Sequence, residues 1–213
     1  MTNPIAFIPL IELPTKKDIV SEKTPEGNAI TNPKAWHRYQ ENEIRRNYAS
    51  KLQPISAGIN QYQLFDLTAP DLEKLIALHI SDQSISESCS FFGGYAVSMN
   101  GKLILYPQCC GLLEDINAWK QILDPNFKDF HLTNGHPSPI ISKQENQLII
   151  LCDDAEESFI PNTEKKLILD YQQAKIALEK LLVELALFSK SLDTLSANFG
   201  TQKISNTLIW GNN

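Results

Sequence analysis

Apolar and polar positions alternate at the front of the chain. "IAFIPLIEL" (residues 5–13) is extended and apolar, and Pro9 in its middle cannot donate to a ladder, so the pattern predicts an edge strand or arm. Residues 14–33 have no period and predict a loop. Asn32-Pro33 then opens a helix to about Leu52, with Asn32 as cap and Pro33 in the first turn, carrying Trp36, Tyr39, Ile44 and Tyr48. "YQLFDL" (62–67) alternates as a strand does. Thr68 caps the next helix, "APDLEKLIALHI", with Asp71 three residues on and His79 near its end as a packing residue. "GGYAVSM-NG-KLILYP" is two strand patterns joined by Asn100-Gly101. That dipeptide tolerates positive φ at both turn positions and predicts a type I′ hairpin, with Tyr95, Val97 and Met99 on one face.

Further on, Leu112, Ile116, Trp119 and Leu123 recur at helical spacing and predict a helix over 112–123. A turn-rich loop surrounds a short strand at 129–133. "PIIS" and "QLIILCD" predict a strand pair turning at "KQEN", the second strand central because Ile149 to Leu151 are consecutively apolar. The strongest period closes the chain. Leu167, Tyr171, Ala174, Leu178, Leu181, Leu185, Phe188, Leu192 and Leu195 alternate four and three apart, a seam predicting one long core helix over 164–197. Ile176, Leu182, Val183 and Leu187 widen it, so the helix packs as the spine of a core, and part of it could join two copies. The prediction is a single α+β domain over 1–213. Hairpins of mostly antiparallel sheet pack on helices, with residues 1–31 as an N-terminal edge strand or arm and loop.

Composition changes this picture little. A 213-residue chain with 42% hydrophobic and 21% charged residues can bury a core without staples. Charge changes it more. Residues 1–51 hold eight Lys/Arg against six Asp/Glu, and the remainder holds eleven against nineteen. An acidic body repels phosphate backbones and argues against nucleic acid, while it suits a basic protein partner. The start lacks the basic region of a secretion signal, and no long uninterrupted apolar run predicts a membrane span. Four cysteines without an export signal place the chain in the cytoplasm with free thiols, as a monomer or homodimer.

Three patterns carry candidate chemistry. Cys109 and Cys110 precede Gly111 at the start of a helix pattern, with His131 and His136 downstream. A thiol with a His base, aided by backbone N–H groups at a helix start, is the equipment of a cysteine-dependent hydrolase or transferase. The same thiols could hold a metal with Cys152, His131 and His136, or act in redox chemistry, although no paired knuckles mark a zinc site and extended neighbours point their side chains apart. The structural alternative is a strand-to-helix corner with buried cysteines. Next, "CDDAEES" places Asp153, Asp154, Glu156 and Glu157 after a strand, a surface for a basic partner rather than a cation loop. Last, His136 stands in the Pro-locked loop "NGHPSP". "FFGGY" has neither the spacing nor the Lys of a phosphate loop, and no motif implies a cofactor or a bound metal.

In size, acidity and order of elements the chain resembles the small α+β immunity proteins that neutralise contact-dependent bacterial toxins. That likeness implies a non-enzymatic binding module whose acidic surface plugs the active site of a basic nuclease. The thiol enzyme and the thiol metal or redox protein are the alternatives.

Overall fold

The computed structural model describes residues 4–15, 23–28, 31–56, 58–81, 83–132 and 135–211. Parts of the expected 14–33 loop and the end of the expected 129–133 strand lie outside them. The fold is one α+β body built on two four-stranded antiparallel sheets.

In the first sheet, β1 (Ile5–Ile11) pairs with β3 (Gly93–Met99) from Ile5 opposite Met99 to Ile11 opposite Gly93. On its other side β2 (Tyr62–Gln63) reaches only Leu10 and Ile11. The strand expected at an edge therefore lies inside the sheet order. Pro9 sits just past the end of β2, where no second ladder asks for its missing N–H. β4 (Lys102–Leu105) completes the order β2-β1-β3-β4 through the Asn100-Gly101 turn, whose φ angles of 56° and 75° are those of a type I′ hairpin. Beyond Gln63 the expected 62–67 strand tightens into a 3₁₀ turn.

The second sheet is a meander of β5 (Asp129–His131), β6 (Ile140–Gln144), β7 (Gln147–Leu151) and β8 (Lys166–Asp170). β7 is central, as its consecutive apolar residues predict. β8 corrects the reading of the long helix. Leu167 and Leu169 are buried while their neighbours are exposed, a period of two, and Leu167 pairs with Ile150. The helix starts one residue later, at Tyr171, where the Asp170 carboxylate accepts the Gln173 N–H at 2.8 Å.

Among the helices, α1 is Pro33–Asn47, ending before the expected Leu52, and α2 is Ala69–Ile80, opened by the Thr68–Asp71 capping box. α3 is only Ile116–Trp119, flanked by 3₁₀ turns. The buried apolar residues of that stretch are Leu113, Ile116, Trp119 and Ile122, a spacing of three that suits 3₁₀ winding better than the expected 4-3-4. α4 (Tyr171–Asp193) buries Tyr171, Ala174, Leu178, Leu181, Leu185 and Leu192 against β1, β7 and β8, and α5 (Ile204–Leu208) closes the chain. Trp119 joins the two sheets: its ring meets Phe7 of β1 at 4.9 Å and Phe130 of β5 at 5.6 Å, both edge-on. Among the described residues no helix is long and apolar enough to cross a membrane.

Candidate functional site

Leaving β4, the chain crosses Pro107 and Gln108 and turns sharply. The Gly111 N–H donates to the Gln108 carbonyl at 3.2 Å, so Cys109 and Cys110 are the two central residues of a four-residue turn. Cys110, not the following glycine, takes the left-handed conformation, with φ 64°. That conformation costs a residue with a Cβ about 1–2 kcal/mol. It also breaks the alternation that points neighbouring side chains apart in an extended strand. The two sulfurs lie 3.4 Å apart, both exposed, which corrects the expectation that they diverge or sit buried in the corner.

Two other segments are drawn onto this turn. The first is the 135–136 stretch. The His136 N–H donates to the Cys109 carbonyl at 3.0 Å in an isolated antiparallel bridge. The approach is tight at Gly135, where φ is 96° and an added Cβ would lie 3.1 Å from the Cys109 carbonyl oxygen and 3.2 Å from the Gly111 nitrogen. Gly111 is needed on the turn's other flank, where a Cβ would lie 2.5 Å from the Gly93 carbonyl oxygen of β3. One ring nitrogen of His136 and the two sulfurs consequently all lie within 4.8 Å of one another.

The second is the acidic loop after β7. The buried Gln108 side chain reads the backbone of Ile160 as a strand would. Its Oε1 accepts the Ile160 N–H at 2.9 Å, and its Nε2 donates to the carbonyls of Ile160 at 3.2 Å and Tyr106 at 2.8 Å. The loop so held presents Glu157, whose Oε2 stands 2.8 Å from His136 Nδ1. A carboxylate oxygen only accepts, so Nδ1 carries a proton in this contact and Nε2 is the nitrogen left for another partner.

Of the candidate residues singled out in the sequence, Cys109, Cys110, His136 and Glu157 converge, and five others do not. His131 is exposed on β5, opposite Ile140. Cys152 is buried, and burial pushes its thiol up to about 11. Asp153 pairs with Lys165 at 2.7 Å. Asp154 accepts the N–H groups of Glu156 and Glu157, closing a local turn, and Glu156 is exposed in that turn. The turn holds the acidic run in place, and all four of its carboxylates are exposed. His79 packs edge-on against Phe91 and Phe92, and burial lowers its pKa. Gln108 and Gly135 carry no local signal in the sequence, because their work is done on partners far along the chain.

Cys109, His136 and Glu157 line an open groove of about 730 Å³, walled by Ile59, Pro107, Pro137 and Ile160. The Cys109 thiol is held above its ordinary value, first by the sulfur–sulfur hydrogen bond with Cys110, then by burial and by the charges of Glu12 and Glu157. An activated nucleophile needs the opposite shift. A metal cation does not, because coordination itself displaces the thiol proton. Comparison of the chain with models of protein families, with curated proteins and with solved structures finds no match.

Proposed function

We propose that this chain binds a thiophilic metal ion, Zn2+ foremost, through Cys109, Cys110 and His136. The observation that carries the reading is the convergence of two sulfurs and one imidazole nitrogen within 4.8 Å. The spacing suits the ion. Tetrahedral Zn2+ with sulfur arms of about 2.3 Å sets its sulfurs roughly 3.8 Å apart, and the two here are 3.4 Å apart. Glu157 on Nδ1 supplies the carboxylate that orients a metal-binding imidazole and raises its basicity. Two thiolates offset the charge of the ion. The fourth position opens to solvent or to a group in the groove, since both cysteines and His136 are exposed. A thiol enzyme is supported less well, because the Cys109 thiol is held protonated.

The test is uptake of Zn2+ by reduced protein stripped with a chelator, read by competition with a chromophoric indicator. One equivalent is expected, and Co2+ in its place should give sulfur-to-metal charge-transfer absorption. The Cys109→Ser/Cys110→Ser double variant and His136→Ala should lose tight uptake, while Cys89→Ser keeps it. Equal uptake by the double variant would sink the reading.

A further inference from the structure

The groove is also lined by Glu12, Asn60 and Gln61, residues the metal reading does not use. Gln61 is 4% exposed. Its Nε2 donates to the Pro107 carbonyl at 3.1 Å, which fixes which way the amide faces, and its Oε1 has no hydrogen-bond partner among the described residues. A covered, unpaired carbonyl oxygen forfeits the hydration it had in the unfolded chain and has the most to gain from a charged donor. The half-buried carboxyl of Glu12 stands beside it, in a side-chain hydrogen bond with Gln61, and Glu157 lines the same groove. No Lys or Arg is among the described residues that line the groove, and its walls are aliphatic.

Such a groove offers acceptors and negative charge between apolar walls. Its complement is a cation rich in N–H donors on a hydrocarbon stem. An ammonium with three donors suits acceptors scattered round a point, where a guanidinium fork wants a coplanar pair. The volume, about 730 Å³, exceeds that of one side chain and accommodates a short run of residues. The acidic balance of residues 52–213, eleven basic against nineteen acidic, draws in a basic partner.

We propose that the Glu12–Gln61 part of this groove receives a lysine side chain from a basic peptide segment of a partner protein. The stem lies along Ile59 and Pro107 and the ammonium closes on Gln61 Oε1 and the Glu12 carboxylate. Reaching the covered oxygen requires the Gln61 amide to turn and loosen its hydrogen bond to the Pro107 carbonyl. The proposal goes beyond the metal reading and does not rest on it.

The experiment uses the full chain, reduced and freed of metal, so that its outcome is independent of Zn2+ uptake. An alanine pentapeptide with a central lysine is titrated in, followed by amide NMR shifts and calorimetry. The same peptide with norleucine for lysine, and butylamine alone, are the comparisons. The lysine peptide should shift the signals of Glu12 and residues 58–61, and should bind roughly tenfold or more tightly than the norleucine peptide. Glu12→Gln should weaken it by a similar factor, and Gln61→Met more. Should Gln61→Met not fold, Glu12→Gln, whose side chain is only half-buried, carries the test. Equal binding of lysine and norleucine peptides, or no binding of either, overturns the proposal. Butylamine binding as tightly as the peptide overturns the peptide occupant in favour of a free amine.

Discussion

Glu157 holds His136 by Nδ1 at 2.8 Å, and the two residues come from loops 21 positions apart. The contact assigns a proton to Nδ1 and leaves Nε2 as the nitrogen open to an ion. In metal sites such partners carry much of the affinity without touching the ion. Glu157→Gln should therefore lower Zn2+ affinity by about tenfold to a hundredfold. The side chain is exposed, so thermal unfolding of the metal-free variant should match the parent. An unchanged affinity by indicator competition would remove Glu157 from the site.

The sulfurs of Cys109 and Cys110 lie close enough to be joined by a mild oxidant. With hydrogen peroxide the balanced step is two thiols and one peroxide giving one disulfide and two waters. Adjacent Cα atoms are about 3.8 Å apart, below the usual span of a disulfide, so the bond should be strained and readily reduced. Treated protein should lose two mass units within the peptide containing both residues and should fail to take up Zn2+ until a thiol reductant is added. Sulfinic acid on either cysteine without loss of two mass units would count against this coupling.

Gln108 is a positioning residue. Gln108→Met fills the same space but leaves the Ile160 N–H without its acceptor, at a cost of about 1–3 kcal/mol in stability. Zn2+ affinity should fall as well, because the loop bearing Glu157 loses its tether. Phe130→Leu, a core change remote from the turn, supplies the control. It should lower the melting temperature without changing Zn2+ affinity, and parallel losses in both variants would mean that Gln108 acts through stability alone.

Asp71 ties α2 to the end of α1. Burial raises its pKa, but hydrogen bonds from the Ser50 and Thr68 hydroxyls and from the Ala49 and Thr68 N–H groups outweigh burial and leave it below the ordinary 3.8. A carboxyl with a depressed folded-state pKa adds stability that is present above its unfolded value and lost as pH falls through the folded one. Asp71→Asn should cost about 2 kcal/mol in urea unfolding at pH 7. The gap to the parent should shrink as the pH is lowered below 4. A gap that does not change with pH would show that the carboxylate charge contributes nothing.

Much of the fold was legible because its signals are local. Asn100-Gly101 states a turn by itself, and the seam from Tyr171 to Leu192 repeats often enough to define α4. β8 was hidden because Leu167 stands four residues before Tyr171 and so continues the seam in phase, although its own surroundings follow a period of two. The 3₁₀ winding at 113–122 was hidden because Leu112 and Leu123 offer a helical spacing that competes with Leu113 and Ile122. The candidate site was legible only as separate parts. His136 reaches Cys109 through a bridge between distant segments, and Glu157 arrives because Gln108 reads the backbone at Ile160. The meeting of the sulfurs depends on a left-handed φ at Cys110, a conformation its residue type does not announce.

One last consequence concerns the joint at Trp119. The indole precedes every strand of the second sheet in sequence, yet it lies between Phe7 of one sheet and Phe130 of the other. α4, from the second half, returns to cover β1. A cut in the turn after Asp124 would give two fragments, each lacking the surface that completes its interior. Neither is a module that could be lifted out and reused, and the two should be soluble only when made together, reassembling round one shared ring.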